Sequence, residues 1–83
     1  MPRGRPAGRE LNPLELKHLQ LLLFGRQRAQ LNTRFFEEHI EDFALELIGD
    51  GASVRSVADA AGVSPSTVQK WVRDARRRRD ASP

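Results

Sequence analysis

Two apolar stripes of identical spacing, separated by a glycine, restrict the C-terminal half of this chain to one kind of architecture. Val54, Val57, Ala58 and Ala61 recur at i, i+3, i+4 and i+7, and Val68, Trp71, Val72 and Ala75 repeat the pattern. That period places each set on a single face of a helix. Between the stripes, Gly62 and Val63 form a turn, Ser64 is a capping residue, and Pro65 occupies a first helical position, where its missing N–H is no loss. Two short helices with inward faces must therefore pack on each other and on a further apolar surface. Across the second helix from its inward face lie Ser66, Gln69, Lys70 and Arg73, again at i, i+3, i+4 and i+7. All four are polar or cationic.

The rest of the chain also patterns as helix, which predicts an all-α fold. Asn12 caps a first helix with Pro13 in its first position, and Gly25 is the expected stop. Its leucines do not form one stripe: Leu16, Leu19 and Leu23 lie on one side, and Leu11, Leu14, Leu21 and Leu22 on the other. A helix apolar on two faces needs cover on both, and a small domain supplies that most simply from a second copy. A second helix begins near Gln27 or at Thr33 and runs to Ile48, with Phe36, Ile40, Phe43, Ala44 and Leu47 as its apolar stripe. Gly49-Asp50-Gly51 ends it. The expected layout is a flexible basic arm over residues 1–11, a helical and dimerising region over 12–49, the paired short helices over 50–79, and a disordered tail over 80–83.

Size and charge narrow the function. A chain of 83 residues has little room for a buried catalytic cavity. It has no Cys, and His18 and His39 stand too far apart to suggest a ligand pair. There is no nucleophile–base pair, metal cluster or Gly-rich phosphate loop, so no enzyme, metal, cofactor or small-molecule ligand is expected. No stretch approaches the roughly 20 apolar residues that cross a bilayer, and the expected location is the cytoplasm, on the nucleoid. Lys and Arg total 14 against 11 acids, but the sorting matters more than the net charge of +3. The first nine residues and the segment after Arg55 are basic, whereas residues 35–54 carry Glu37, Glu38, Glu41, Asp42, Glu46 and Asp50 without a base. Basic ends on an acidic body suit a nucleic-acid binder, because neutralised phosphates release counterions.

The segment VRSVADAAGVSPSTVQKWVR, Val54 to Arg73, resembles the helix-turn-helix family of bacterial DNA-binding proteins. Small Ala58 falls where the helices touch, Gly62 in the turn, and Val57, Ala61, Val63, Val68 and Trp71 at interior places. The resemblance implies that the second helix enters the major groove of double-stranded DNA, bringing Ser64, Pro65, Ser66, Gln69, Lys70 and Arg73 nearest the bases. Arg55 and Thr67 are expected on phosphates, as are Arg76 and Arg77 of the basic run that ends at Arg79. Residues Arg3-Gly4-Arg5-Pro6 resemble the core of an AT-hook, with Arg9 as a basic flank, which implies minor-groove contact by Arg3, Gly4, Arg5 and Arg9. These features together predict a transcriptional regulator that binds operator-like DNA as a homodimer through residues 12–48, its recognition helices about 34–36 Å apart. The alternatives are an architectural, nucleoid-associated or DNA-segregation protein, and an adaptor that docks a protein partner through residues 12–48.

Overall fold

The computed structural model describes residues 8–29 and 33–81. Over these residues the chain is all-α: α1 (Pro13–Arg28), α2 (Thr33–Gly49), α3 (Val54–Ala61) and α4 (Pro65–Ala81). Helix α2 is central, packed against α1 on one side and α4 on the other, while α3 closes against α4 and α1. The core is one cluster in which Leu19, Ile40, Ala44, Val57, Ala58 and Val68 are completely or almost completely inaccessible. Among the described residues no helix is long and apolar enough to cross a membrane.

Local signals account for most of the boundaries. The Asn12 side chain accepts from Glu15 N at 2.8 Å, and the Glu15 carboxylate accepts from Asn12 N at 3.0 Å, a reciprocal cap that satisfies two orphan donors. Ser53 caps α3 by accepting from Ser56 N at 3.0 Å. Gly62 ends α3 at φ 71° and ψ 32°, with Val63 N donating to Ala58 O at 3.0 Å and Gly62 N to Asp59 O at 3.3 Å. That left-handed conformation would cost an L side chain about 1–2 kcal/mol, which is why glycine stands there.

Helix α1 does not stop at Gly25 but continues to Arg28. Gly25 serves a helix contact: a Cβ there would lie 2.5 Å from Cε1 of Phe36 on α2, so its absence lets the two helices close. Two separate helices, α1 and α2, therefore occupy the region around residues 26–48. The leucines of α1, with Leu11 just before it, divide differently from the expected faces. Leu19 is fully buried, Leu11, Leu22 and Leu23 pack on the core, and Leu14 and Leu21 remain exposed with Phe24. On α2 the core takes Ile40, Ala44 and Leu47 as expected, together with Leu45, while Phe36 and Phe43 are half-buried. At the C-terminus, α4 runs through Asp80 to Ala81, so two residues of the expected tail are helical.

The largest departure concerns Arg9. Residues 8–11 of the expected arm are docked, with Arg9 N donating to Gly51 O at 2.8 Å and Ser53 N to Arg9 O at 3.2 Å. The Arg9 guanidinium donates to both Glu15 oxygens at 2.7 and 2.8 Å and to Asp50 Oδ2 at 2.7 Å. Arg9 thus clamps the start of α1 to the turn before α3, with its side chain about one-third exposed. Arg3, Gly4 and Arg5 lie outside the described residues.

The clamp has a pH signature. Hydrogen bonds from Arg9, and then from the Asn12 backbone, hold the Glu15 carboxyl below its ordinary value of 4.5. A lowered carboxyl contributes stability that is present above the ordinary value and lost as pH falls through the folded one. The melting temperature should therefore drop between neutral pH and about pH 3, and Arg9→Gln should reduce that drop. An undiminished acid sensitivity in the variant would show that Arg9 does not hold Glu15.

Candidate nucleic-acid interface

Helix α4 sorts its residues cleanly. Val68, Trp71, Val72 and Ala75 are all buried, whereas Ser66, Gln69, Lys70 and Arg73 are all exposed. The same burial that seats the inner stripe therefore fixes the direction of the outer one. Ser64 and Pro65 are exposed at the N-terminal tip, just beyond the Gly62 turn. The Ser64 hydroxyl accepts from Thr67 N at 3.3 Å and lies 3.1 Å from Thr67 Oγ1, so both hydroxyls already take part in the cap. Thr67 is half-buried rather than free on the surface.

The exposed cations are not equally available. Lys70 Nζ donates to Asp74 Oδ2 at 3.0 Å, and Arg73 and Arg77 each reach to 4.0 Å from Asp74 Oδ1. Arg76 and Arg79 are exposed on α4, and Arg55 is exposed at the second position of α3. Arg55 lines an open cleft with Gly8 and Glu10 of the N-terminal segment and Ser53, Ser56 and Asp59 of the α3 region. It thus stands beside the place where the N-terminal segment docks.

Arg78, within the same basic run, has a structural task. Its guanidinium donates to Glu41 Oε1 at 3.0 Å, Asp42 Oδ1 at 2.8 Å and Glu38 O at 3.2 Å, tying the far half of α4 to α2. Burial pushes the Glu41 carboxyl up, although Arg78 pulls it the other way. Spacing carried a signal for this contact: Arg78 follows Val68, Trp71 and Ala75 on the inner face, opposite the acidic run of α2. Arg26 and Arg34 had no such signal. They line a cleft of about 290 Å³ beside α4 together with Lys70, Trp71, Asp74 and Arg77. His18 and His39 are exposed and stack on rings, His18 with Phe43 at 4.1 Å and His39 with Phe35 at 4.2 Å between centroids. Among the described residues no group of His, Cys, Asp or Glu is arranged to hold a metal ion.

Two helices closed by a glycine turn, with the second presenting a polar and cationic stripe, define a helix-turn-helix DNA-binding protein. The family model for the transposase helix-turn-helix domain matches residues 29–83, and the chain belongs to that family. No curated protein and no solved structure matches it. The match includes α2, α3 and α4 but neither α1 nor the docked segment at Arg9.

The geometry makes Gln69 the cleanest probe of the exposed face of α4, because it is exposed and has no charge to lend to phosphate. Gln69→Ala should lose about 1–3 kcal/mol at one or two base positions while binding to unrelated duplex stays nearly constant. Titrations against duplexes carrying single base-pair changes would measure this. Equal losses on every sequence would move Gln69 from the base edges to the backbone.

Proposed function

We propose that the chain recognises a specific duplex sequence by laying α4 in the major groove, with Ser64, Pro65, Ser66, Gln69, Lys70 and Arg73 toward the bases. Arg55, Arg76 and Arg77 serve as phosphate contacts, and Thr67 contributes to phosphate binding while capping α4. The observation that carries the reading is the split of α4 into a wholly buried stripe and a wholly exposed polar one. Membership of the transposase family favours one use of such recognition: the chain marks DNA sites at which transposition acts. It contributes recognition and no chemistry of its own.

A second reading keeps the operator-binding regulator. It is favoured by Leu14, Leu21, Phe24 and Phe35, which α1 and α2 leave 79, 59, 56 and 54 % exposed. Apolar groups this open suit pairing of two copies, and two copies suit two half-sites. Enrichment of bound duplexes from a random-sequence pool tests the common core of both readings, with a defined sequence motif as the expected result. Mapping of bound sites in the genome then separates them: ends of repeated elements support the transposition use, and promoters support the regulator. Recovery of random sequence would overturn both and favour a coating role.

The docked N-terminal segment supports a minor-groove role for Arg3, Gly4 and Arg5. Residues 6–53 separate that basic segment from α3 in sequence, yet Gly8 and Arg9 lie against Gly51 and Ser53, directly before α3. An arm rooted there starts beside the helix-turn-helix instead of at the far end of the molecule. Narrow A·T-rich minor grooves reward inserted arginine most. Removal of residues 2–7 should therefore weaken binding more on A·T-flanked sites than on G·C-flanked sites sharing one core. Equal weakening on both would reduce the arm to a general phosphate contact.

A further inference from the structure

Three cations of α4 converge on one carboxylate. Asp74 Oδ2 accepts from Lys70 Nζ at 3.0 Å, and Asp74 Oδ1 lies 4.0 Å from both Arg73 Nε and Arg77 Nη1. The side chains of Lys70, Arg73 and Arg77 are 61, 65 and 73 % exposed, whereas that of Asp74 is only 25 % exposed. Asp74 therefore stands behind the cations, in the cleft beside α4 that Glu41 also lines. The hydrogen bond from Lys70, outweighing partial burial, holds its carboxyl below the ordinary value of 3.8, so it is an anion throughout the neutral range.

An anion in this position acts differently on two kinds of DNA contact. Phosphates are the same at every sequence, and a cation already paired with Asp74 has less to gain from meeting one. A base edge offers more: guanine O6 and N7 give Lys70 two acceptors in fixed geometry, which can replace the carboxylate oxygen. The negative charge thus weakens binding to any duplex but weakens it least where the sequence supplies that replacement.

We infer that Asp74 is a positioning residue that sets the specificity of α4, holding Lys70, Arg73 and Arg77 back from random DNA and releasing Lys70 to a matching base edge. This rests on the DNA-reading function proposed above. The test compares the full chain with Asp74→Asn and Asp74→Ser on two probes, a random-sequence duplex and the consensus duplex that the unmodified chain enriches from a random pool. Both neutral variants should bind the random duplex severalfold more tightly, with a salt dependence steeper by up to about 0.9 for each phosphate newly neutralised. Affinity for the consensus should change less, so the ratio between the probes narrows. Asp74→Glu keeps the charge and should restore the original ratio, a rescue that a purely helix-stabilising role would not tie to salt dependence. Unchanged or weaker random binding by neutral variants of normal helicity would overturn the assignment, as would equal tightening on both probes. Failure of the unmodified chain to enrich any motif would overturn the DNA-reading function itself, and with it this role. Enrichment alongside indifference of the Asp74 variants would remove the role of Asp74 alone.

Discussion

The structure depends on the seam that buries one face of α4. Val68, Trp71, Val72 and Ala75 join Ile40, Ala44 and Leu47 of α2 and Val57 and Ala58 of α3 in a single cluster. Fully burying a side chain of the Val or Leu class contributes roughly 1.5–3 kcal/mol, so this stripe outweighs any one polar contact on the surface. It also removes the rotational freedom of α4. Once four residues at helical spacing are committed inward, Ser66, Gln69, Lys70 and Arg73 have one direction left to point. Ala58 is part of the same constraint, because a larger side chain in that fully buried place would have to push α3 and α4 apart.

Around this apolar seam, two arginines fix the ends of the fold by the same device. Arg9 grips Glu15 and Asp50, joining the start of α1 to the turn before α3. Arg78 grips Glu41 and Asp42, joining the far half of α4 to α2. Each guanidinium remains about one-third exposed, so neither clamp rivals the core in energy. Their planar forks instead supply direction, since a carboxylate and a guanidinium align in few ways. Arg78 thereby gives the long helix α4 a second point of attachment beyond Ala75. Arg9 brings the N-terminal segment to the entrance of α3.

Much of this was legible in the sequence, and the exceptions share a cause. The inner and outer stripes of α4, the Gly62 turn and the Asn12 cap depend on residues within seven positions of one another, where helical period and capping chemistry decide the outcome. Arg9 contacts Asp50 across 41 residues, and no local pattern records that pairing. The basic stretch at the N-terminus therefore suggested a longer arm than the docked segment permits. Gly25 misled for a related reason: a glycine near the end of a helix signals a stop, but here Phe36 on another helix required its small size. The leucines of α1 showed two apolar faces, whereas only the fold determines that Leu22 and Leu23 share the core and Leu21 does not.

Assignment of the arginines to separate tasks changes what the charge of the chain means. Composition alone counts Arg9 and Arg78 with the DNA-facing cations, yet both are paired with carboxylates of the chain itself. Lys70, Arg73 and Arg77 are exposed but share Asp74. The electrostatic footprint offered to a duplex is accordingly smaller than the 14 basic residues of the sequence imply. Unspecific affinity scales with the phosphates a protein neutralises, so a restricted footprint leaves a larger share of binding to direct contacts with base edges, the role proposed for Gln69. A recognition module this small has few base contacts available, and restraint of its cations is one way for those few to decide where it binds.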